Sequence, residues 1–554
     1  MLLLSDQIRK RLVKNILTVW PELEGDLPEV LIEPPADARH GDFSSNIAMQ
    51  LAARLKMAPV DIAQKIIAPG IPLASVGKLD VVPPGFINIY LKTDWLRKQA
   101  KRILLSGNHY GHLEVGQGER VHLEFISANP TGPLHLGNGR GGFTGDTLGN
   151  VLEMAGYRVY REYYVNDIGK QVDTLAESII RRYFQEQGIP VPYPDTCYQG
   201  EYVKELAKTL DFSGVQIQYI DRAKKKLRGQ ALRAMMKQIK QTLSKVMRID
   251  FDNFFFESEL HTKKLTDRVL RMLEARELLY EKDGALWMRT TAFGDDKDRA
   301  IKKSDGEKTY FLSDLAYLFD KFAVRRYPRA ILLLGADHHG YVGRMQAAMR
   351  ALGWEGRLTI HIFQLVRLME DGKEVRMSKR SGTFVTIDEL IKDVGIDAAR
   401  FFFLMSGMNT HMDFDLNLAR EQSDKNPVYY VQYAHARIAS ILRKADPLVK
   451  KGKTTKAALQ EPSADELVKQ LLRFPELVAQ VARRSSVHEL PQYAMSLATA
   501  FHNFYTKVRV IDNEQVSLPA YELCQASKLV LQKTLALMGI HAPEKMERTE
   551  EQAS

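Results

Sequence analysis

Cysteine is almost absent from this chain of 554 residues, which contains only Cys197 and Cys524. Two cysteines cannot form a disulfide framework or a zinc site of several thiolates, and such scarcity is typical of a reducing cytoplasm. The sequence also lacks an apolar run of about 18 residues, so a membrane-spanning helix is not expected. The apolar start is too short for a signal peptide, because a polar and basic segment begins at Ser5. We therefore expect a cytoplasmic protein that does not contact a membrane.

The overall composition is that of a globular protein, with 45% hydrophobic and 26% charged residues. The chain is too long for one hydrophobic core, so it should form several domains. Its net charge of +10 favours a polyanionic partner, although a mildly basic enzyme explains the charge equally well.

Hydrophobic patterns divide the chain into three predicted domains. Residues 1–110 read as a small α/β domain, with a helix near Ser5–Ile16 and a strand near Gly85–Leu91. Residues 111–405 alternate strand and helix signals, which predicts a Rossmann-like parallel sheet with a helical insertion at about 170–290. Residues 406–554 are dominated by helix patterns and predict an all-α bundle.

A segment rich in glycine and proline surrounds His135 and follows a strand-like run that includes Glu124. Two prolines and five glycines fall within 16 residues, so we do not expect this segment in the core. We interpret it as backbone shaped to approach a ligand. The glycines from Gly137 onward should begin a helix whose N-terminus favours phosphate. Gly137 would let a flat base lie on bare backbone, and His135 could donate a hydrogen bond to a phosphate oxygen.

An alternative interpretation comes from the same glycines. The pattern Gly137-x-Gly139-x-x-Gly142 matches a dinucleotide-binding fingerprint, and Glu162 stands at the position of its acidic residue. That fingerprint follows its strand immediately, whereas about ten residues intervene here. The match on its own is weak.

A second segment, Arg376-Met-Ser-Lys379-Arg380, is dense in cations and hydroxyls. A cation cluster alone is usually a solvated surface. Together with the His135 segment it indicates a triphosphate site, in which Lys379 acts as a mobile point charge and the arginines add forked donors. Elsewhere in the chain, His338 and His339 are adjacent to each other, but they do not predict a metal site. The side chains of adjacent histidines point apart, and no third ligand is evident.

The pair of motifs resembles that of class I aminoacyl-tRNA synthetases. His135-Leu-Gly137-Asn138 is similar to "HIGH", and Arg376-Met-Ser-Lys379-Arg380 is similar to "KMSKS". The chain resembles the arginyl-tRNA synthetase family over nearly its whole length, including Gly41-Asp-Phe-Ser-Ser-Asn, Gly395-Ile-Asp-Ala-Ala-Arg and Leu537-Met-Gly-Ile-His-Ala-Pro. It departs from the family at Asn138, where a second histidine is usual, and at Arg376, where lysine is usual.

The resemblance implies site residues position by position. The implied arginine contacts are Glu124, Ser127, Asn129, Tyr310, Asp314 and Asp337. The implied ATP contacts are His135, Gly137, Asn138, His338, Met377, Ser378 and Lys379, of which His135, Asn138 and Lys379, together with Arg376, would act in catalysis. Carboxylates are natural partners of a guanidinium, although Asp314 alone could equally be a helix N-cap. Candidate tRNA-stacking and phosphate contacts are Tyr429, Tyr430, Tyr433, Arg437, Phe501, Tyr505, Lys507 and Arg509, and bundle core is the alternative for each aromatic.

The resemblance implies an arginine–tRNA ligase that uses ATP with Mg²⁺ as substrate and has no tightly bound cofactor or metal. Its partners would be arginine, ATP and tRNA(Arg), with the tRNA body touching the N-terminal domain and the anticodon the C-terminal bundle. The resemblance also implies that tRNA binds before arginine is activated, and we expect a monomer. The alternatives are a non-catalytic tRNA-binding paralogue, a synthetase for another amino acid and a dinucleotide-dependent oxidoreductase.

Overall fold

The computed structural model describes residues 3–35, 37–375 and 385–546, apart from the side chains of Ala38, Asp337 and His339. The N-terminal part forms a small antiparallel sheet covered by helices. Its sheet has the order β1-β3-β2. The helices bury Ile8, Leu12 and Ile16 at helical spacing. The elements are α1 (Leu4–Val19), β1 (Phe43–Ser45), α2 (Ile47–Leu55), α3 (Pro59–Ile67), β2 (Val76–Val82) and β3 (Phe86–Leu91), followed by α4 (Thr93–Leu96) and α5 (Gln99–Ser106).

A five-stranded parallel sheet organises the middle of the chain. Its strands are β4 (Arg120–Glu124), β5 (Arg158–Val165), β6 (Asn253–Phe256), β10 (Arg329–Gly335) and β11 (Leu358–Phe363). They lie in the order β11-β10-β4-β5-β6, and every neighbouring pair is parallel. The chain leaves β4 toward β5 and β6, and later returns to the other side through β10. The strand order therefore reverses at β4, and ligands bind such sheets at the carboxyl edge beside the reversal.

Helices and small hairpins surround this sheet. Before β10 they are α6 (Leu136–Met154), α7 (Lys170–Glu186), α8 (Tyr202–Ala207), α9 (Ile220–Gln241), α10 (Ser258–Thr262), α11 (Leu265–Ala275), α12 (Tyr310–Phe319) and the hairpin strands β7 (Leu279–Lys282), β8 (Ala285–Met288) and β9 (Arg299–Lys302). After β10 they are α13 (His339–Ala351), α14 (Ile387–Val394), α15 (Ile396–Leu404), α16 (Leu416–Arg420) and the strands β12 (Val366–Glu370), β13 (Lys373–Glu374) and β14 (Met412–Asp415).

The edge strand β6 lies inside the stretch 170–290 that reads as an insertion. The helices α7, α8 and α9 do leave the sheet, and the chain then returns at Asn253 to pair with Glu162 of β5. The short aromatic run Phe254-Phe255-Phe256 carries too little periodicity to mark it as part of the main sheet. The helical excursion is therefore shorter than the sequence suggests.

The C-terminal part is a helical bundle, as expected, with a small three-stranded sheet at one end. The helices are α17 (Pro427–Lys450), α18 (Pro462–Arg484), α19 (Glu489–Lys507) and α20 (Leu518–Leu537). The strands β15 (Thr454–Thr455), β16 (Ile511–Asp512) and β17 (Gln515–Ser517) pair in the order β15-β17-β16. They are too short to produce an alternating pattern in the sequence.

Buried polar contacts join the bundle to the rest of the chain. The Arg400 guanidinium of α15 donates to Asp146 of α6 at 2.7 Å and to the carbonyl oxygen of Met538, just after α20, at 3.1 Å. It also donates to the carbonyl oxygens of Met247 and Arg248 at 2.8 Å. On the other side of the bundle, Ser5 of α1 donates to Glu476 of α18.

Fourteen of the 19 residues of the glycine-rich helix α6 are buried, so the expectation that its segment avoids the core is wrong. A Cβ at Gly145 would meet the Phe125 ring at 2.3 Å, and a Cβ at Gly142 would meet Met247 at 2.7 Å. These glycines let strand and helix approach closely. Among the glycines of α6, only Gly137 is exposed to solvent.

Candidate active site

The site begins where β4 ends at the carboxyl edge of the sheet. Two residues after Glu124, the chain enters the left-handed region. Ile126 and Ser127, neither of which is a glycine, have φ angles of 67° and 41°. A left-handed conformation is unfavourable for a β-branched residue such as Ile126, and strain of this kind concentrates at functional sites. The Ser127 hydroxyl accepts a hydrogen bond from the Tyr164 N–H at 3.0 Å and donates to Glu124 Oε1 at 3.3 Å, which holds the turn in place.

His135 and Asn138 form a reciprocal cap at the start of α6. The His135 ring nitrogen Nδ1 accepts from the Gly137 N–H at 3.1 Å, and Asn138 Oδ1 accepts from the His135 N–H at 2.9 Å. Since Nδ1 is an acceptor, the proton of the neutral ring is on Nε2. The helix thus begins with an oriented imidazole that can donate through Nε2, next to the exposed backbone of Gly137.

The segment that contains Arg376, Met377, Ser378 and Lys379 lies outside the described residues. The first described residue after it, Val385, accepts a hydrogen bond through its carbonyl from the Leu136 N–H at 3.4 Å. The Ile387 N–H donates to the Leu134 carbonyl at 3.0 Å. The chain therefore emerges from this segment directly beside His135.

Helix α12 and the turn after it contribute a stripe of polar side chains. Tyr310, Asp314, Tyr317 and Lys321 follow one another at intervals of four, three and four residues, so they share one face. Asp314 lies in the middle of the helix, whose N-cap is Thr309, and this excludes the N-cap interpretation of Asp314. Tyr310 is 75% exposed at the first turn, whereas Lys321 is fully buried.

Asp314 of this stripe lies within electrostatic reach of two further carboxylates, Glu124 of β4 and Glu257 just after β6. Burial raises the pKa of Asp314 to about 7, with the carboxylates of Glu257 and Glu124 acting in the same direction and Arg344 opposing them. Burial also raises the pKa of Glu257. Two tyrosine hydroxyls face these carboxyls, and they oppose the effect of burial: Tyr164 lowers the pKa of Glu257 and Tyr341 lowers the pKa of Asp314. We call Glu124, Glu257 and Asp314 the acidic pocket.

The acidic pocket suits a cationic ligand. Two cations, Lys321 and Arg344, accompany the three carboxylates. The net charge of the five groups is therefore −1 when all of them are charged. A cation that entered would lower the cost of ionising Asp314. Glu257, Lys321, Tyr341 and Arg344 were not among the predicted site residues. Glu257 could have been identified as a site residue from the sequence, because it directly follows the aromatic strand β6 at the carboxyl edge of the sheet.

The remaining predicted contacts are distributed along the same edge. Asn129 is exposed on the loop before α6, and His338 is exposed just after β10. Asp337 lies in the 3₁₀ turn Ala336–His338, and its side chain is outside the described residues. The assignment of these three residues as ligand contacts stays a prediction.

Glu162, the acidic residue of the dinucleotide alternative, is fully buried. It accepts hydrogen bonds from both terminal nitrogens of Arg325 at 2.6 and 2.9 Å. It also accepts from the Tyr317 hydroxyl at 2.6 Å and from Asn253 at 2.8 Å. A carboxylate held in this way cannot bind a ribose, and the alternative is excluded.

A second candidate surface lies on α17 and α19. The Arg437 guanidinium lies over the rings of Tyr433 and Tyr505 at 5.5 and 4.9 Å, and His502 stacks on Tyr433 at 6.2 Å. We call these four residues the aromatic patch. Tyr429 and Tyr430 are half-buried nearby on α17, and the exposed Lys507 and Arg509 pair loosely with Glu461 and Asp512. Phe501 is fully buried, so its predicted role in stacking on a base is wrong.

Neither a membrane segment nor a metal cluster is found in the described part of the chain. No helix there is long and apolar enough to cross a membrane. No group of three or more His, Cys, Asp or Glu side chains is arranged there to hold a metal ion.

Comparisons with known proteins cover the chain from end to end. Family models match the arginyl tRNA synthetase N terminal domain over residues 3–91, the catalytic domain of class I tRNA synthetases (R) over 99–437 and the DALR anticodon binding domain over 431–546. The arginine–tRNA ligase of Shouchella clausii is 43% identical over 551 residues, which are 98% of this chain and 99% of that protein. The arginine–tRNA ligase of Geobacillus thermodenitrificans is 44% identical over 553 residues, 98% of each chain.

Solved structures show the same architecture. The arginyl-tRNA synthetase of Thermus thermophilus aligns with a TM-score of 0.77 at 21% identity, over 98% of this chain and all of that one. A putative arginyl-tRNA synthetase from Campylobacter jejuni aligns with a TM-score of 0.74 at 32% identity, over 82% of this chain and all of that one. These likenesses confirm the predicted fold class.

Proposed function

Since the chain belongs to the arginyl-tRNA synthetase family and is an arginine–tRNA ligase, we propose that the acidic pocket binds the arginine substrate. A guanidinium is a flat cation with five N–H donors, and charge-assisted bonds to carboxylates are its strongest contacts. The convergence of Glu124, Glu257 and Asp314 carries this proposal. The exposed Tyr310 stands at the rim, one helical turn before Asp314, where it can cover the bound side chain.

We propose that ATP, as its magnesium complex, lies against the N-terminus of α6. The exposed Gly137 gives a base or ribose access to the backbone, and His135 donates through Nε2 to a phosphate oxygen. Lys379 belongs to the segment that also contains Arg376, Met377, Ser378 and Arg380. Val385, the first described residue after this segment, accepts a hydrogen bond from Leu136. We propose, from that attachment and from the charge of the segment, that Lys379 acts on the triphosphate.

The enzyme catalyses two steps, neither of which needs a protein nucleophile. The arginine carboxylate attacks the α-phosphate of ATP, forming arginyl-adenylate as the bond to pyrophosphate breaks. The terminal hydroxyl of tRNA then attacks the activated carbonyl and releases AMP. The side chains therefore act by positioning the substrates and by stabilising phosphate charge. The orientation of His135 before the substrates bind is consistent with that role.

We propose that tRNA contacts both ends of the chain. The aromatic patch offers flat rings and a guanidinium, which suit unpaired anticodon bases and their phosphates. Tyr429 and Arg509 would extend this surface. In the N-terminal domain, the exposed Phe86 beside Ser44 and Asn88 lines a cavity of about 370 Å³ that suits an unpaired base of the tRNA body.

The oligomeric state and the compartment are also proposals. We propose a monomer, because the chain by itself supplies every residue of the proposed arginine and ATP sites. Light scattering should then give a mass near 63.0 kDa. The two cysteines are unpaired and buried, in keeping with a reducing cytoplasm.

Pyrophosphate exchange with each amino acid, with and without tRNA, tests the function directly. Exchange with arginine that requires or is strongly stimulated by tRNA(Arg) is the expected result. Exchange with a different amino acid would indicate another specificity. Tight tRNA binding without any exchange would indicate a non-catalytic paralogue.

A further inference from the structure

We propose that Lys321 is a positioning residue for arginine binding: its buried ammonium holds one oxygen of the Glu124 carboxylate and turns the other oxygen toward the substrate. The proposal rests on the arginine site proposed above and names the residue that prepares it.

The first observation is that two carboxylates end neighbouring strands side by side. Glu124 of β4 and Glu162 of β5 are direct partners in the parallel register, so they project from the same face of the sheet. Neighbouring strands lie about 4.8 Å apart. Both side chains are buried, with 5% and 0% exposure. Two buried like charges at this spacing require a cation each.

A single helical turn supplies both cations. Asp320–Val324 is a π-helical turn that continues α12, and such turns recur at functional sites. Lys321 Nζ lies 2.5 Å from Glu124 Oε2, while Arg325 forms a fork on Glu162. The helix that carries Asp314 therefore also neutralises both strand ends.

The two pairs are not equivalent. Glu162 receives hydrogen bonds from Arg325, Tyr317 and Asn253 and contacts His122, so its oxygens are fully used. Among the described residues, Glu124 has only Lys321 on Oε2 and a long bond from Ser127 on Oε1. A carboxylate has about four acceptor positions, so Glu124 keeps capacity for a ligand. This asymmetry distinguishes a substrate carboxylate from a structural one.

The surroundings of the Lys321 ammonium leave it a single carboxylate partner among the described residues. Its ammonium lies over the Tyr317 ring at 3.8 Å and is fully buried, so Glu124 is its only carboxylate partner among the described residues. Several other titratable groups face Glu124 from the elements packed around it. They are His122 on the same strand, Tyr164 on β5, Asp314 and Tyr317 on α12 and Tyr341 on α13.

The test is the kinetics of Lys321→Met in arginine-dependent pyrophosphate exchange. Without the ammonium, Glu124 is a buried carboxylate that has lost its cationic partner, and nothing fixes the direction of its oxygens. We expect the KM for arginine to rise roughly 30-fold or more, as for a broken buried charge pair, while the KM for ATP changes less than about twofold. Lys321→Arg should restore most of the affinity, and Lys303→Met, which breaks an exposed pair with Glu307, should resemble the parent.

A double-mutant cycle keeps the proposal testable if Lys321→Met folds poorly. Lys321→Met combined with Glu124→Gln leaves a neutral pair of similar volume. If Lys321 acts through Glu124, the double variant should have nearly the arginine KM of Glu124→Gln alone. Multiplied effects, or an equal rise in the KM for ATP and arginine, would overturn the positioning role.

Asp314→Asn distinguishes a failure of the role proposed for Lys321 from a failure of the proposed arginine site. A raised arginine KM in Asp314→Asn with no effect of Lys321→Met would reject only the role of Lys321. An unchanged arginine KM in both variants would instead reject the arginine site.

Discussion

The side-chain oxygen of Asn138 accepts a hydrogen bond from the backbone N–H of His135 at 2.9 Å. The residue that departs from the family motif is therefore the N3 member of a capping box, which fixes the start of α6. With Oδ1 committed to the cap, Nδ2 is the side-chain atom left to contact a nucleotide. The exposed Gly137 and the imidazole of His135 owe their positions to this cap.

Substitution of Asn138 should separate its capping role from its nucleotide role. Asn138→Asp keeps an acceptor at N3, so we expect a free energy of unfolding within about 0.5 kcal/mol of the parent. It also adds negative charge beside the phosphates and should raise the KM for ATP. Asn138→Ala should lose about 1 kcal/mol of stability with a smaller effect on ATP. Urea unfolding and pyrophosphate exchange measure the two effects, and a stable Asn138→Ala would contradict the capping role.

The fold was largely predictable because the central strands are short runs rich in β-branched, aromatic and aliphatic residues. Val159–Val165 and Ala330–Leu334 read as strands, and they flank β4 in the sheet. The buried glycines could not be interpreted from the sequence, because glycine serves both ligand approach and close packing. Only the neighbours of Gly142 and Gly145 show that packing applies.

Part of the proposed site could be named from sequence motifs, whereas the part that depends on strand register could not. Glu124 and Asp314 follow from the family resemblance. Glu257 and Lys321 join them through strand order and a π-helical turn, which single-sequence patterns do not encode. The pairing of Glu124 with Glu162 depends on the register of two strands, so its electrostatic consequence is visible only in the folded chain.

Arginine binding should depend on pH through Asp314. Burial raises its pKa to about 7, so the free enzyme holds this carboxyl protonated below neutrality and must ionise it to bind a guanidinium. We expect kcat/KM for arginine to fall as the pH drops below about 7, while the KM for ATP changes little. Initial rates of exchange between about pH 6 and 8.5 measure this dependence.

Asp314→Asn provides the matching variant. It should weaken arginine binding and remove the inflection near pH 7. A folded-state pKa above the ordinary 3.8 means that folding favours the protonated carboxyl, so stability falls as pH rises between 3.8 and about 7. The variant avoids this loss, and its unfolding temperature at pH 8 should match or exceed that of the parent. A large destabilisation at pH 8 would contradict the assignment.

The aromatic patch should bind tRNA through Arg437. This guanidinium lies against Tyr433 and Tyr505, so a phosphate or base placed there gains both charge and stacking. Arg437→Gln should weaken tRNA binding by about tenfold at physiological salt and reduce its salt dependence by about one ion. Lys444→Gln, an exposed cation further along α17, is the control. Fluorescence titration at several salt concentrations gives both quantities, and equal losses in the two variants would indicate only a general charge effect.

Lys379 should act on the chemical step rather than on arginine binding. The residues that form the acidic pocket lie outside its segment, and the chain that follows the segment is hydrogen-bonded to Leu134 and Leu136 on either side of His135. Removal of a donor to developing phosphate charge costs about 2.7–4 kcal/mol, so Lys379→Ala should slow adenylate formation by about 100- to 1000-fold. Lys373→Ala, an exposed lysine just before the segment, should leave the rate within about twofold of the parent. Single-turnover formation of arginyl-adenylate gives the rate, and equilibrium binding of arginine gives the affinity. A parallel loss of both in Lys379→Ala would mean that the segment shapes the arginine pocket instead of stabilising the triphosphate.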